Sequence, residues 1–141
     1  MTAFELAQRF VGEIKEIPGP QNEPFIQWAH SLCGLGTDQP DEIAWCSSFA
    51  NSVAWLLRLP RSKSAMARSW LSVGVPIDLK DAVPGYDVVI LSRGTPPSGH
   101  VGFFAGLEGD RIHVLGGNQG DAVTVASFPA TMLLGVRRLK G

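Results

Sequence analysis

The chain changes period at Gly74, and that change decides what it can fold into. Before Gly74, apolar residues recur every three to four positions; after it, they come in short β-branched runs parted by turn residues. Phe4, Leu6, Ala7, Phe10, Val11 and Ile14 predict a helix over 3–17, broken by Pro18-Gly19-Pro20. Phe25, Ile26, Trp28, Ala29 and Leu32 predict a second at about 23–33, closed by Gly34. A third covers 41–59, DEIAWCSSFANSVAWLLRL, and Pro60 stops it; a short fourth covers 64–73. Strands are expected at 75–79, 86–91, 100–105, 111–115, 122–127 and 133–139. Closely spaced strands joined by tight turns pair antiparallel. Helices first and strands second therefore predict an α+β domain, with N-terminal helices packed on one face of a C-terminal antiparallel sheet.

Composition narrows the function. At 141 residues the chain is expected to form one domain over 1–141. A net charge of -1 offers no field for nucleic acid, so no nucleic-acid partner is expected. No apolar run is long enough to cross a bilayer, so no membrane insertion is expected either. The N-terminal segment has no basic start, continuous apolar run or small-residue cleavage site. It does not read as a signal peptide, so synthesis in the cytoplasm is expected, with any action outside requiring release or export. Cys33 and Cys46 make no disulfide framework and read as free thiols. No cofactor is implied, and a monomer is expected.

The third helix carries the first candidate group. Phe49, Val53, Leu56 and Leu57 form its apolar stripe, with Ser47, Asn51 and Arg58 on the other side. Asp41 or Glu42 suits the N-cap and the positive end of the helix dipole. Cys46 then lies in or beside the first turn, where backbone amides favour the thiolate. Its bland reading is a small buried hydrophobe.

A hairpin supplies the second and third. With Gly109 at the centre of the turn, His100 faces Asn118 and Phe104 faces Val114. Gly102, Phe104, Ile112, Val114 and the His100–Asn118 pair then share a face. Facing side chains have Cβ atoms roughly 4.5–5.5 Å apart, close enough for an amide to hold an imidazole. A slip of one residue would part them. A thiol at a helix start, an imidazole at a strand end and an amide beside it form the set that cysteine catalysis needs. Cys, His and Asn on helix, strand and strand follow the order of papain-like proteases.

AWCSSFAN on a helix, SGHVGFF opening a strand and VLGGNQ after the next strand resemble the CHAP and NlpC-type cysteine amidohydrolases and peptidases. Among these, the chain is most similar to short peptidoglycan-hydrolase domains of phage lysins and related bacterial proteins, from about residue 22 to 139. The resemblance implies a papain-like fold, with Cys46 as nucleophile, His100 as general base and acid, and Asn118 as orienter. It implies bacterial peptidoglycan as the partner and an amide in its peptide part as the bond cut. Some relatives use an acidic third residue. Gln119 competes with Asn118 for that place, but strand alternation points it away from the His100 face.

Other groups have less specific patterns. Trp45, Glu42 and Gln119 are placed along the cleft as substrate-binding residues; Trp45 reads equally as core. Cys33, near a helix C-terminus where the dipole disfavours a thiolate, reads as buried and inert. His30 and His113 read as surface or structural histidines. The Cys33, Cys46 and histidine set lacks zinc spacing. Asp38, Asp41 and Glu42 lack the alternating acidic run of a calcium loop, and no metal is expected. Two further functions stay open: an acyl transferase or deamidase acting on a protein with the same three residues, and a non-enzymatic phage structural or wall-binding module.

Overall fold

The computed structural model describes residues 1–18, 21–36 and 44–141. Its elements are α1 (Ala3–Gln8), α2 (Pro24–Ser31), α3 (Cys46–Leu56), β1 (Val75–Ile77), β2 (Asp87–Ser92), β3 (Gly99–Glu108), β4 (Arg111–Gly116), β5 (Thr124–Pro129) and β6 (Leu133–Arg138). A 3-10 helix at Ala67–Ser72 replaces the expected fourth α-helix. Among the described residues, no helix is long and apolar enough to cross a membrane.

Local chemistry explains the helix ends. Thr2 and Glu5 form a reciprocal capping box at the start of α1. The first helix stops well short of the expected residue 17. Gly12 takes φ 80°, and residues 14–16 pair with the chain beyond β4: Val123 N–H donates to Ile14 O at 2.9 Å and Glu16 N–H to Asp121 O at 2.8 Å. Tertiary pairing overrides helix propensity there. Glu23 caps α2, and Pro24 occupies its first turn. The N-cap of α3 is Trp45, with no side-chain cap bond, rather than an acidic residue; Asp38, Asp41 and Glu42 lie outside the described residues.

The six strands form one antiparallel sheet in the order β1-β6-β2-β3-β4-β5, so β6 returns from the far edge to lie between β1 and β2. The architecture is α+β. Residues 88–91 of β2 are buried on both faces, hence a continuous apolar run instead of an alternating one. Val88, Ile90, Val101, Phe103 and Leu115 face the helices, packing with Ala3, Ile26, Phe49, Val53 and Trp70. Val89, Leu91, Phe104, Ile112, Val114 and Val136 form a second core on the other face. Ile77 of β1 and Phe128 of β5, from opposite edges, both pack on this second core. Each joins through its neighbouring strand, Ile77 opposite Val136 and Phe128 opposite Ile112, so the second core runs across the whole width of the sheet.

The polar side of α3 is not solvated. Ser47, Ser48, Asn51 and Ser52 are fully buried alongside its apolar stripe. Residues 62–70 close over them: Trp70 Nε1 donates to Ser47 Oγ at 2.9 Å, and Ser47 Oγ donates to Ser64 O at 2.6 Å. Buried hydroxyls and amides need such partners.

Candidate functional site

His100 sits near the start of β3, opposite Leu91 of β2, and shares the face of the second core. Its ring lies 5.3 Å from the Phe128 ring, centroid to centroid. Its Nε2 is 2.8 Å from Gln119 Oε1. The neighbours of Gln119 fix which atom is which. Gln119 Nε2 donates to Thr124 O at 2.8 Å and to Val114 O at 3.2 Å, so its amide hydrogens are committed to carbonyls. Oε1 must then face the imidazole as an acceptor, which puts the ring proton on Nε2. Nδ1 is left as the basic nitrogen, buried and without a hydrogen-bond partner among the described residues. Burial lowers the His100 pKa to about 4, opposed by the Gln119 bond and aided by the Arg93 charge. The ring is therefore neutral and able to accept a proton throughout the neutral range.

Gln119 takes the place expected for Asn118. Next to the turn the pairing is one residue off the expected register, Gly106 with His113, Leu107 with Ile112 and Glu108 with Arg111. A bulge between Phe104 and Gly106 restores it at Phe103 with Leu115 and Phe104 with Val114. Beyond Gly116 there is no strand to continue the alternation. Asn118 turns left-handed at φ 60°, which reverses the side presented by the next residue and brings Gln119 to the imidazole. The two preceding glycines make room. A Cβ on Gly116 would lie 2.8 Å from Gln119 Oε1, and one on Gly117 would lie 2.6 Å from the Trp45 ring. The sequence did hold a signal: Gly-Gly-Asn marks the end of a strand, and Asn is enriched in the left-handed region.

Cys46 is the first residue of α3, and its sulfur meets β3 at the backbone N–H of Val101, one residue beyond His100. Val101 faces α3 whereas His100 faces the second core, so the thiol and the ring approach the strand from different sides. No hydrogen bond joins Sγ to the imidazole. The thiol pKa is raised, not lowered. Burial outweighs the Val101 N–H, the Arg93 charge and the N–H groups of Ser47 and Cys46, all of which favour the thiolate. The helix-end argument thus had the right sign but too small a magnitude.

A pocket of about 280 Å³ opens over the sulfur, lined by Ala44, Cys46, Met66, Arg93, Ser98 and Gly99 among others. Arg68 Nε donates to Ser98 O at 2.7 Å and holds the wall that leads into β3. Sequence reasoning missed Arg93, which is exposed at this wall and acts on both Cys46 and His100.

The remaining candidates fall elsewhere. Trp45 is 1% exposed and donates from Nε1 to Glu16 Oε2 at 3.0 Å; it is packed under Gly117 and does not line the pocket as a substrate contact. Glu42 lies outside the described residues. Gln119 is committed to His100 and to backbone carbonyls. Cys33 is buried, with its thiol raised by burial. His30 is buried, with Nδ1 2.7 Å from Ser48 Oγ. Among the described residues, no cluster of three or more His, Cys, Asp or Glu side chains is placed to hold a metal ion. The chain matches no protein-family model and no curated protein sequence.

Proposed function

We propose that the chain is a papain-like cysteine hydrolase that cleaves an amide in the peptide part of bacterial peptidoglycan. The observation that carries this reading is the state of His100: neutral, with its Nε2 proton held by Gln119 and a bare Nδ1, one residue along β3 from the backbone N–H that meets the pocket-lining Cys46 thiol. In the reaction, a side-chain rearrangement at Cys46 or His100 first brings Sγ within reach of Nδ1, which then takes the thiol proton as Sγ attacks the amide carbonyl. The imidazolium returns that proton to the leaving amine, and a thioester remains. A water molecule then attacks the thioester, giving its proton to Nδ1 and regenerating the thiol. Gln119, in place of Asn118, keeps the ring in one tautomer and one orientation. The Cys46 backbone N–H, at the start of α3, is the first candidate donor to the oxyanion. Because thiol and ring are both neutral at rest, proton transfer accompanies attack instead of preceding it.

A second reading, in which Cys46 only packs, draws on a specific observation: the residue is 4% exposed and makes no bond to the imidazole. Digestion of purified peptidoglycan, with the fragments read by mass spectrometry, separates the two. The hydrolase reading expects new amine and carboxylate ends that vanish in Cys46→Ala and His100→Ala proteins of unchanged circular dichroism. Near-normal digestion by Cys46→Ala would sink it in favour of packing.

A further inference from the structure

The opposite end of α3 bears a second concave surface with chemistry of its own. The helix closes with Leu59 N–H returning to Ala54 O at 2.8 Å, and Arg58 stands at φ 57°. That position is usually Gly, because a Cβ there costs roughly 1 kcal/mol. Lys63 is also left-handed, at φ 59°. Two cations thus hold a backbone conformation that glycine would hold more cheaply, and both border the same hollow.

The hollow measures about 620 Å³ and is lined by Trp55, Leu56, Arg58, Leu59, Arg61 and Lys63. No acidic side chain lines it among the described residues. Trp55 is 48% exposed, and its ring stands edge-on against Trp28, 5.6 Å away. The loop presenting the cations is anchored from beneath by Asn51, which is fully buried. Asn51 Oδ1 accepts from Lys63 N–H at 2.8 Å and from Arg61 Nη1 at 3.4 Å, and its Nδ2 donates to Ser62 Oγ at 3.2 Å. Arg61 Nη1 also donates to Leu32 O at 2.9 Å. The Arg61 guanidinium and the backbone that carries Lys63 are therefore fixed in place.

A cation at a helix C-terminus is favoured by the dipole. That would account for Arg58, but not for Lys63 or for a half-exposed indole lining the same hollow. An exposed aromatic ring offers a flat apolar surface, and guanidinium and ammonium groups beside it suit carboxylate or phosphate. A sugar ring has an apolar face and carries such anions. We infer that this hollow binds an anionic sugar, one whose ring bears a carboxylate or a phosphate. The eleven residues of α3 run from Cys46 to Leu56 at the hollow, a rise of roughly 15 Å. The inference stands independently of the hydrolase reading.

The test follows the Trp55 indole N–H signal by NMR, identified by its loss in Trp55→Phe. The protein is titrated separately with a uronic acid trisaccharide, a hexose phosphate, a neutral trisaccharide and a short single-stranded oligonucleotide. A saturable shift is expected with at least one anionic sugar, and the first two titrations tell carboxylate from phosphate. Affinity should fall about tenfold in Arg58→Gly and in Lys63→Gly. Both variants should melt no lower than the parent, because glycine relieves the left-handed backbone. Trp55→Ala, which lacks the followed signal and is titrated by calorimetry beside the parent, should weaken binding by a similar factor. Raising salt from about 0.05 to about 0.2 M should weaken it too. Four results would overturn the inference: no saturable shift with either anionic sugar, equal binding of the neutral one, tighter binding of the oligonucleotide, or undiminished binding in the glycine variants.

Discussion

Cys33 and Cys46 are both buried free thiols, and burial pushes both above the ordinary thiol range. Each is joined through an intermediate group to the neighbourhood of a buried histidine. Near Cys33 the link runs through Ser48, whose hydroxyl contacts the thiol and meets His30 Nδ1 at 2.7 Å. Near Cys46 the ring nitrogen that matters has no partner, and the sulfur borders a pocket. Acidity alone therefore does not single out a nucleophile here. Exposure does not separate them either, since Cys33 is 9% exposed and Cys46 4%. What separates them is place, because Cys46 begins α3, lines a pocket and meets β3 one residue from His100.

The largest effect that bears on this contrast is on activity. Cys46→Ala should lower the rate of peptidoglycan hydrolysis by at least about a thousandfold, and Cys33→Ala should leave it within about twofold. Assays of released amine groups would show it; equal losses in both variants would erase the distinction.

The next is a stability effect on the Cys46 side. His100 titrates near 4 when folded and at its ordinary 6.5 when unfolded. Below pH 6.5 the unfolded chain takes up a proton that the folded ring refuses, so stability falls as pH drops through that window. The full loss, reached below about pH 4, is on the order of 3 kcal/mol for a shift of this size. Urea unfolding across that window should show the slope in the parent and a shallower one in His100→Asn. Equal slopes would mean that the ring is protonated in the native state.

Smaller again is the orienting effect. Gln119→Ala should lower kcat about ten- to hundredfold and move the acid limb of kcat/KM, whereas Asn118→Ala should do neither. Comparable losses at both positions would return Asn118 to the site. Smallest is the difference in alkylation. Both thiols should react slowly at neutral pH, with rates rising only above about pH 8.5. His100→Ala should slow Cys46 alone. Rapid modification of Cys46 at neutral pH would show a thiolate that burial does not permit.

The sheet was largely legible because its signal is local. Each expected strand has a counterpart, and Phe104 does face Val114, although only because a bulge between Phe104 and Gly106 offsets a turn one residue wider than expected. The helical half was less so. The first helix was drawn too long because nothing near Ile14 announces a partner as distant as Val123. Ser47 and Asn51 read as a solvated face because their cover, residues 62–70, becomes visible only in three dimensions. The positions of Cys46, first in α3, and of His100, near the start of β3, were legible from residue type and element. Gln119 was lost by carrying alternation through Gly116-Gly117-Asn118, where the strand has already ended. Arg93 was missed because its neighbours in space come from three separate stretches of chain.

The enclosure of α3 leaves the molecule without a seam. From Cys46 to Ala54 every side chain is covered, partly by the sheet that follows Gly74 and partly by the loop that precedes it. Severing the backbone at that glycine should yield two unstructured peptides, with native circular dichroism returning only when they are combined. The helical and strand-forming halves are thus grammatical divisions of the sequence and not modules that evolution could exchange separately.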